Sequence, residues 1–108
     1  MKSTEYKQFD AIGLAELVAK GEISAFELLQ CAQQVTEEVN PQLNALVTPM
    51  WDQATASLEA GLAESALSGV PMPLKDLGQN YRGIVTSNGS RLFADNVADH
   101  DSTLVQRY

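Results

Sequence analysis

Basic residues are scarce in this sequence: seven Lys and Arg stand against fourteen Asp and Glu, a formal charge of −7. Nucleic acid and anionic membranes both reward clustered Lys and Arg, so neither is expected as a partner. Cysteine is almost absent. Cys31 is alone, which rules out an intrachain disulfide and makes a thiolate metal site a poor fit. Histidine is equally thin, with His100 the one example. Aromatic residues make up only 6% of the chain, and neither Trp51 nor the three tyrosines show a spacing that would build a binding platform. No stretch approaches the roughly 18 apolar residues of a membrane span, and Met1 to Glu5 lead into no apolar core of signal-peptide length. The expected compartment is therefore cytoplasmic. Asn88-Gly89-Ser90 fits a glycosylation triplet, but without a secretory signal it reads as a turn.

What is present is globular. Apolar residues reach 44% and charged residues 19%, and 108 residues leave room for one ordinary domain. The first two-fifths reads as helix. Asp10 is placed as an N-cap, with Phe9 and Leu14 at the positions of a hydrophobic staple; Leu14, Leu17 and Val18 share a face until Gly21 ends the run. Ser24 and Glu27 form a capping box, with Ile23 and Leu28 placed to staple it. Leu28, Cys31, Ala32, Val35 and Val39 follow at helical spacing, and Asn40-Pro41 is expected to stop them. On that face Cys31 reads as core rather than nucleophile. A short strand is expected over Leu43 to Val47. Thr48-Pro49 then offers an N-cap and first-turn proline for a third helix through Trp51, Ala54, Leu58 and Leu62, fading over Ser65 to Ser68.

The character changes near Gly69. Gly69-Val70-Pro71-Met72-Pro73 is stiff and cannot be helical, so it should deliver Leu74-Lys75-Asp76 in extended form, with Pro71, Pro73 and Lys75 on one strand face. From Gly78 to Asn96 the sequence is rich in turn residues, and Asp99-His100-Asp101-Ser102 is expected to cap a further helix from Thr103. That last helix has under two turns before Tyr108, too few to stand alone in water, so the sequence reads as cut rather than finished.

Lys75 is the candidate catalytic residue. An apolar, proline-braced approach favours burial, burial disfavours the ammonium, and a neutral amine can take a proton from a hydroxyl nucleophile. From the residues alone, a solvated charge at a strand end remains the commoner role for such a lysine. Asp76 could orient it, although adjacent strand residues point to opposite faces. His100 lies between two aspartates, but capping explains that triplet better than a metal, and no metal is expected.

Several motifs in order resemble one family. Gly69-Val70-Pro71-Met72-Pro73-Leu74-Lys75-Asp76-Leu77 resembles the lysine motif of the amidase-signature enzymes. Gly83, followed by Thr86-Ser87-Asn88-Gly89-Ser90, is similar to the glycine and the turn that come next there. Asp99 to Val105 resembles the start of its following helix. Upstream, Gly21 to Ser24, Glu27-Leu28, Asn40-Pro41 and Leu43-Asn44-Ala45 are similar to its N-terminal helices. The resemblance implies an α/β fold: the N-terminal part of an α/β/α sandwich with a mixed sheet, a helical arm over residues 1–66 and the start of the core over 67–108. It implies an amide hydrolase with a Ser-Ser-Lys triad, in which Lys75 is the base and both serines lie outside this chain. Ser87 and Ser90 match the turn, not the serine motifs. No cofactor is implied; the partners would be a small-molecule amide substrate, the remainder of the core and, as one arrangement, a second copy in a homodimer. Taken alone, the chain is expected to be inactive. Leu77 stands where asparagine is common, which points towards general and cyclic-amide amidases more than the A subunits of tRNA-dependent amidotransferases. The competing readings are a non-catalytic helical interaction arm and a piece of such an amidotransferase.

Overall fold

The computed structural model describes all residues from Met1 to Tyr108, and the chain divides into two units, Met1–Met72 and Pro73–Tyr108. The first unit is helical: α1 (Ser3–Tyr6), α2 (Ala11–Ala19), α3 (Ala25–Leu43) and α4 (Trp51–Ala60), with α1 and α4 both packing on α3. The second unit holds one 3-10 turn, Arg91–Phe93, and a short helix, α5 (Thr103–Arg107). No helix is long and apolar enough to cross a membrane.

Local chemistry explains the helix ends that the sequence makes visible. The Asp10 carboxylate accepts from the Gly13 amide at 2.8 Å, which meets one of the donors a helix start leaves open. After α2 the chain turns through Gly21 at φ +70°, with Gly21 N–H bonded to Val18 O at 3.0 Å and Glu22 N–H to Leu17 O at 3.0 Å. This is the paired 6→1 and 5→2 closure that needs a left-handed residue. At α3 the Ser24 hydroxyl accepts from Glu27 N–H at 3.2 Å, and the Glu27 carboxylate accepts from Ser24 N–H at 3.0 Å and from the Ser24 hydroxyl at 2.7 Å; the two bonds to the carboxylate pull it below its ordinary value.

The core of this unit is small and well closed. Leu14, Ile23 and Leu28 are buried together, with Met1, Tyr6, Leu17, Val18 and Val70 packed around them. Cys31 is buried on α3, in keeping with a packing role. Burial, and secondarily Cys31 nearby, pushes the Tyr6 phenol up.

Three expectations fail between residues 40 and 68. Asn40-Pro41 does not stop α3, which continues to Leu43 with Pro41 inside its last turn. A proline there removes only one late helical bond, and the Asn40 side chain supplies a replacement anchor. Its Oδ1 accepts from the amides of Ala45 and Leu46, both at 2.9 Å, and its Nδ2 donates to Leu46 O at 2.9 Å. The same bonds remove the expected strand at Leu43 to Val47: Asn44 is left-handed at φ 49°, and both polar backbone groups of Leu46 are already engaged. The third helix begins later than expected, with Met50 and not Thr48 at the N-cap and no side-chain bond there. It ends at Ala60, so Leu62 lies past Gly61 and is exposed.

The first strands of an α/β sandwich are likewise not formed: the chain contains no strand, and its one β-type pairing is an isolated antiparallel bridge between Val85 and Val97. Residues 70–75 have no ladder partner, so no strand face aligns Pro71, Pro73 and Lys75. A ladder needs a neighbouring strand, and the bonding capacity of the second unit goes into turns instead. Helix α5 begins at Thr103 as expected, but not through a Ser102 side-chain cap. The Ser102 Oγ is buried without a partner, and Asp101 Oδ1 accepts from Arg82 N–H at 2.7 Å.

Candidate active site

The approach to Lys75 starts at Gly69, whose φ is +84°. A Cβ placed there would lie 3.0 Å from the Ala25 Cβ and 3.2 Å from a Val18 methyl, so both conformation and space require glycine. Val70 then packs on the core of the first unit. Beyond Met72 the chain belongs to the second unit, where Leu74 is half-buried and Lys75 exposed. The burial expected for Lys75 is absent from this chain. Its side chain enters no ion pair, while its backbone N–H donates to Gln79 Oε1 at 3.0 Å.

Asp76 occupies a more determined position than the sequence discloses. Asp76 to Gly78 form a turn, and the Asp76 carboxylate reaches across to Ser87, eleven residues on. Oδ1 accepts from Ser87 N–H at 2.7 Å, and Oδ2 takes a short bond from the Ser87 hydroxyl. That hydroxyl bond, helped by the amides of Ser87, Gly89 and Asn88, holds the Asp76 carboxyl below its ordinary value against the opposing effect of desolvation. The carboxylate therefore serves the turn and does not pair with Lys75.

The turn that grips it is built by two left-handed residues in succession. Asn88 has φ 52° and Gly89 φ 67°, and Ser90 N–H bonds to Ser87 O at 3.0 Å. Positive φ at both central positions is the type I′ geometry, which Asn-Gly adopts most readily. Asn88 Oδ1 accepts from Gly78 N–H at 3.3 Å, so each turn contributes a side chain to the other. Behind them, Thr86 N–H donates to Asn96 O at 2.9 Å and Asn96 Nδ2 to Thr86 O at 3.0 Å, with Thr86 itself buried. Arg82 Nε donates to Asp99 O at 3.1 Å.

The remaining polar candidates are engaged elsewhere. The Ser87 hydroxyl belongs to Asp76, and Ser90 Oγ accepts from Leu92 N–H at 3.3 Å at the start of the 3-10 turn. His100 Nδ1 lies 2.5 Å from Asp99 Oδ1 on the surface, a contact that draws the Asp99 carboxyl downward. No group of three His, Cys, Asp or Glu side chains converges as metal ligands would. The structure thus ties Gln79 to the backbone of Lys75, Ser87 to the adjacent Asp76 and Asn88 to Gly78. Of these, the sequence singles out Lys75 and Asp76 for chemistry, reads Ser87 and Asn88 only as parts of a turn, and draws no attention to Gln79. The Asn-Gly pair marks the turn itself, but nothing in the spacing announces that Asp76 is its partner.

The family model described as Amidase matches residues 27–108, a span that includes Lys75 and the turn that holds Asp76. Among curated proteins, the 6-aminohexanoate-cyclic-dimer hydrolase of a Pseudomonas species is 38% identical over 91% of this chain and 20% of its own length. The lipoamidase of Enterococcus faecalis is 36% identical over 94% of this chain and 14% of its own length. The A subunit of the glutamyl-tRNA(Gln) amidotransferase of Halothermothrix orenii is 34% identical over 87% of this chain and 19% of its own length. The chain thus spans about a fifth or less of the length of these relatives. No solved structure matches it significantly. With the family model covering residues 27–108, the chain belongs to the Amidase family.

Proposed function

We propose that this chain is the lysine-bearing N-terminal part of an amide hydrolase, and that Lys75 is its general base. The observation that carries the reading is the family match across residues 27–108, which takes in Lys75. In this reading Lys75 draws the proton from a serine relay, and a second serine attacks the amide carbonyl. Both serines come from sequence beyond this chain. The rest of the protein completes an α/β/α sandwich with a mixed sheet, supplies the strands this chain lacks, and covers Lys75. Residues 1–66 act as a helical arm and residues 67–108 open the core. Exposed Leu77, Leu92, Phe93, Val97 and Leu104 in the second unit suit such covering, since apolar side chains gain by removal from water. The substrate is a small-molecule amide. The hydrolase and lipoamidase relatives and Leu77 favour a cyclic or acyl amide.

One observation favours a second reading: the amidotransferase relative also matches, at 34% identity. Both readings use Lys75, so substrate choice separates them. The test is to replace Lys75 with alanine in the complete enzyme and assay cyclic-amide hydrolysis beside ammonia transfer to glutamyl-tRNA. Loss of a general base should lower turnover by about 100- to 10,000-fold with little change in KM. Unchanged turnover would remove Lys75 from the mechanism, and activity on glutamyl-tRNA alone would favour the second reading.

A further inference from the structure

We propose that Asp76 and the Ser87–Gly89 turn are positioning residues for Lys75, fixing the backbone from which its amine projects. The proposal rests on the reading of Lys75 as the base. A lysine side chain has four rotatable bonds and holds its amine in place only if its Cα is fixed and its surroundings are packed. Packing is not available from this chain, where Lys75 is exposed. Fixing of the Cα is. Gln79 Oε1 accepts the Lys75 N–H at 3.0 Å on one side. On the other, the adjacent carboxylate is bonded to the Ser87 amide at 2.7 Å and to the Ser87 hydroxyl, and the Gly78 amide is bonded to Asn88 Oδ1 at 3.3 Å. A charged acceptor makes stronger bonds than a neutral one, so Asp76 is the firmest of these anchors.

The turn is itself rigid. Two consecutive residues at positive φ set its shape, and Gly89 N–H donates back to the Ser87 Oγ at 3.2 Å. Ser87 thus donates its hydroxyl proton to Asp76 while accepting from Gly89, which leaves the hydroxyl no free donor for acyl chemistry. Asp76 is equally spent. With its two oxygens directed to Ser87, it acts on Lys75 through the chain and not as a counter-ion.

The test uses the complete enzyme carrying Asp76→Ala, Ser87→Ala, Ser87→Thr or Lys75→Ala, with Ile23→Val, in the core of the first unit, as a control for lost stability in the other unit. Misplacing a catalytic group by about 1 Å lowers rate roughly 100-fold, so Asp76→Ala should lower kcat by about that factor with KM within twofold. Ser87→Ala keeps the amide bond and should lose about tenfold, and Ser87→Thr should recover most of that loss. Ile23→Val, assayed at a temperature equally far below its melting point, should keep kcat. If Lys75→Ala abolishes turnover while Asp76→Ala and Ser87→Ala leave kcat unchanged, the positioning role is overturned and the reading of Lys75 stands. If Lys75→Ala keeps full turnover, that reading fails and the positioning role with it.

Discussion

The two units of this chain are held by different forces. In the first, Leu14, Ile23 and Leu28 close a small apolar core, and polar bonds serve mainly to start and stop helices. In the second, the buried residues are only Ala98 and Thr86, while Leu77, Leu92, Phe93, Val97 and Leu104 face outward. Side chains bonded to distant backbone hold that unit in shape: Asp76 to Ser87, Asn88 to Gly78, Asn96 to Thr86, Asp101 to Arg82. An apolar core is indifferent to direction, whereas a hydrogen-bonded frame fixes the positions of particular atoms. The unit that carries the candidate base has the second kind of support.

The comparison can be broken first where the core is densest. Leu28 is fully buried, and Leu28→Ala should cost about 2–5 kcal/mol through lost burial and the cavity left behind. Urea unfolding read on α3 amides checks this, and a loss below about 1 kcal/mol would mean that the three-residue core is not the main support of the first unit. Gly69→Ala should come next, at about 1–3 kcal/mol, because alanine is strained at φ +84° and its methyl would meet the Ala25 Cβ at 3.0 Å. A thermal melt that does not change would show that the segment entering Lys75 relaxes freely.

Acid should separate the units more gently. The Asp76 carboxyl is held below its ordinary value of 3.8, chiefly by the Ser87 hydroxyl. A lowered folded-state pKa stabilises above the unfolded value, and that contribution is lost as pH falls through the lower, folded one. The Ser87 and Gly89 amide resonances should therefore shift on titration below about pH 3.8, while that of Leu28 stays in place. Resonances that move together would mean that the polar frame and the core fail as one.

How much of this is legible in the sequence follows from distance along the chain. Ser24 and Glu27 are three residues apart, as are Asp10 and Gly13, so spacing alone announces them. Gly21 is similarly local. Asn40 misleads because its backbone precedes a proline, yet its side chain is what ties down Ala45 and Leu46. The expected strands fail for a related reason: a strand is a property of two segments, and this chain offers Val85 only Val97 as a partner. The motif around Lys75 includes Asp76, and the Asn-Gly pair marks the later turn, but the bond that joins Asp76 to Ser87 spans eleven residues and has no local signature. Family resemblance points to the residue; only the structure shows what holds it.

The most direct test of the account is amine rescue of Lys75→Ala in the complete enzyme. If Lys75 is the base, the variant should be nearly inactive, and added methylamine should restore part of the turnover in proportion to its unprotonated fraction. Wild-type turnover by Lys75→Ala without any added amine would contradict the assignment.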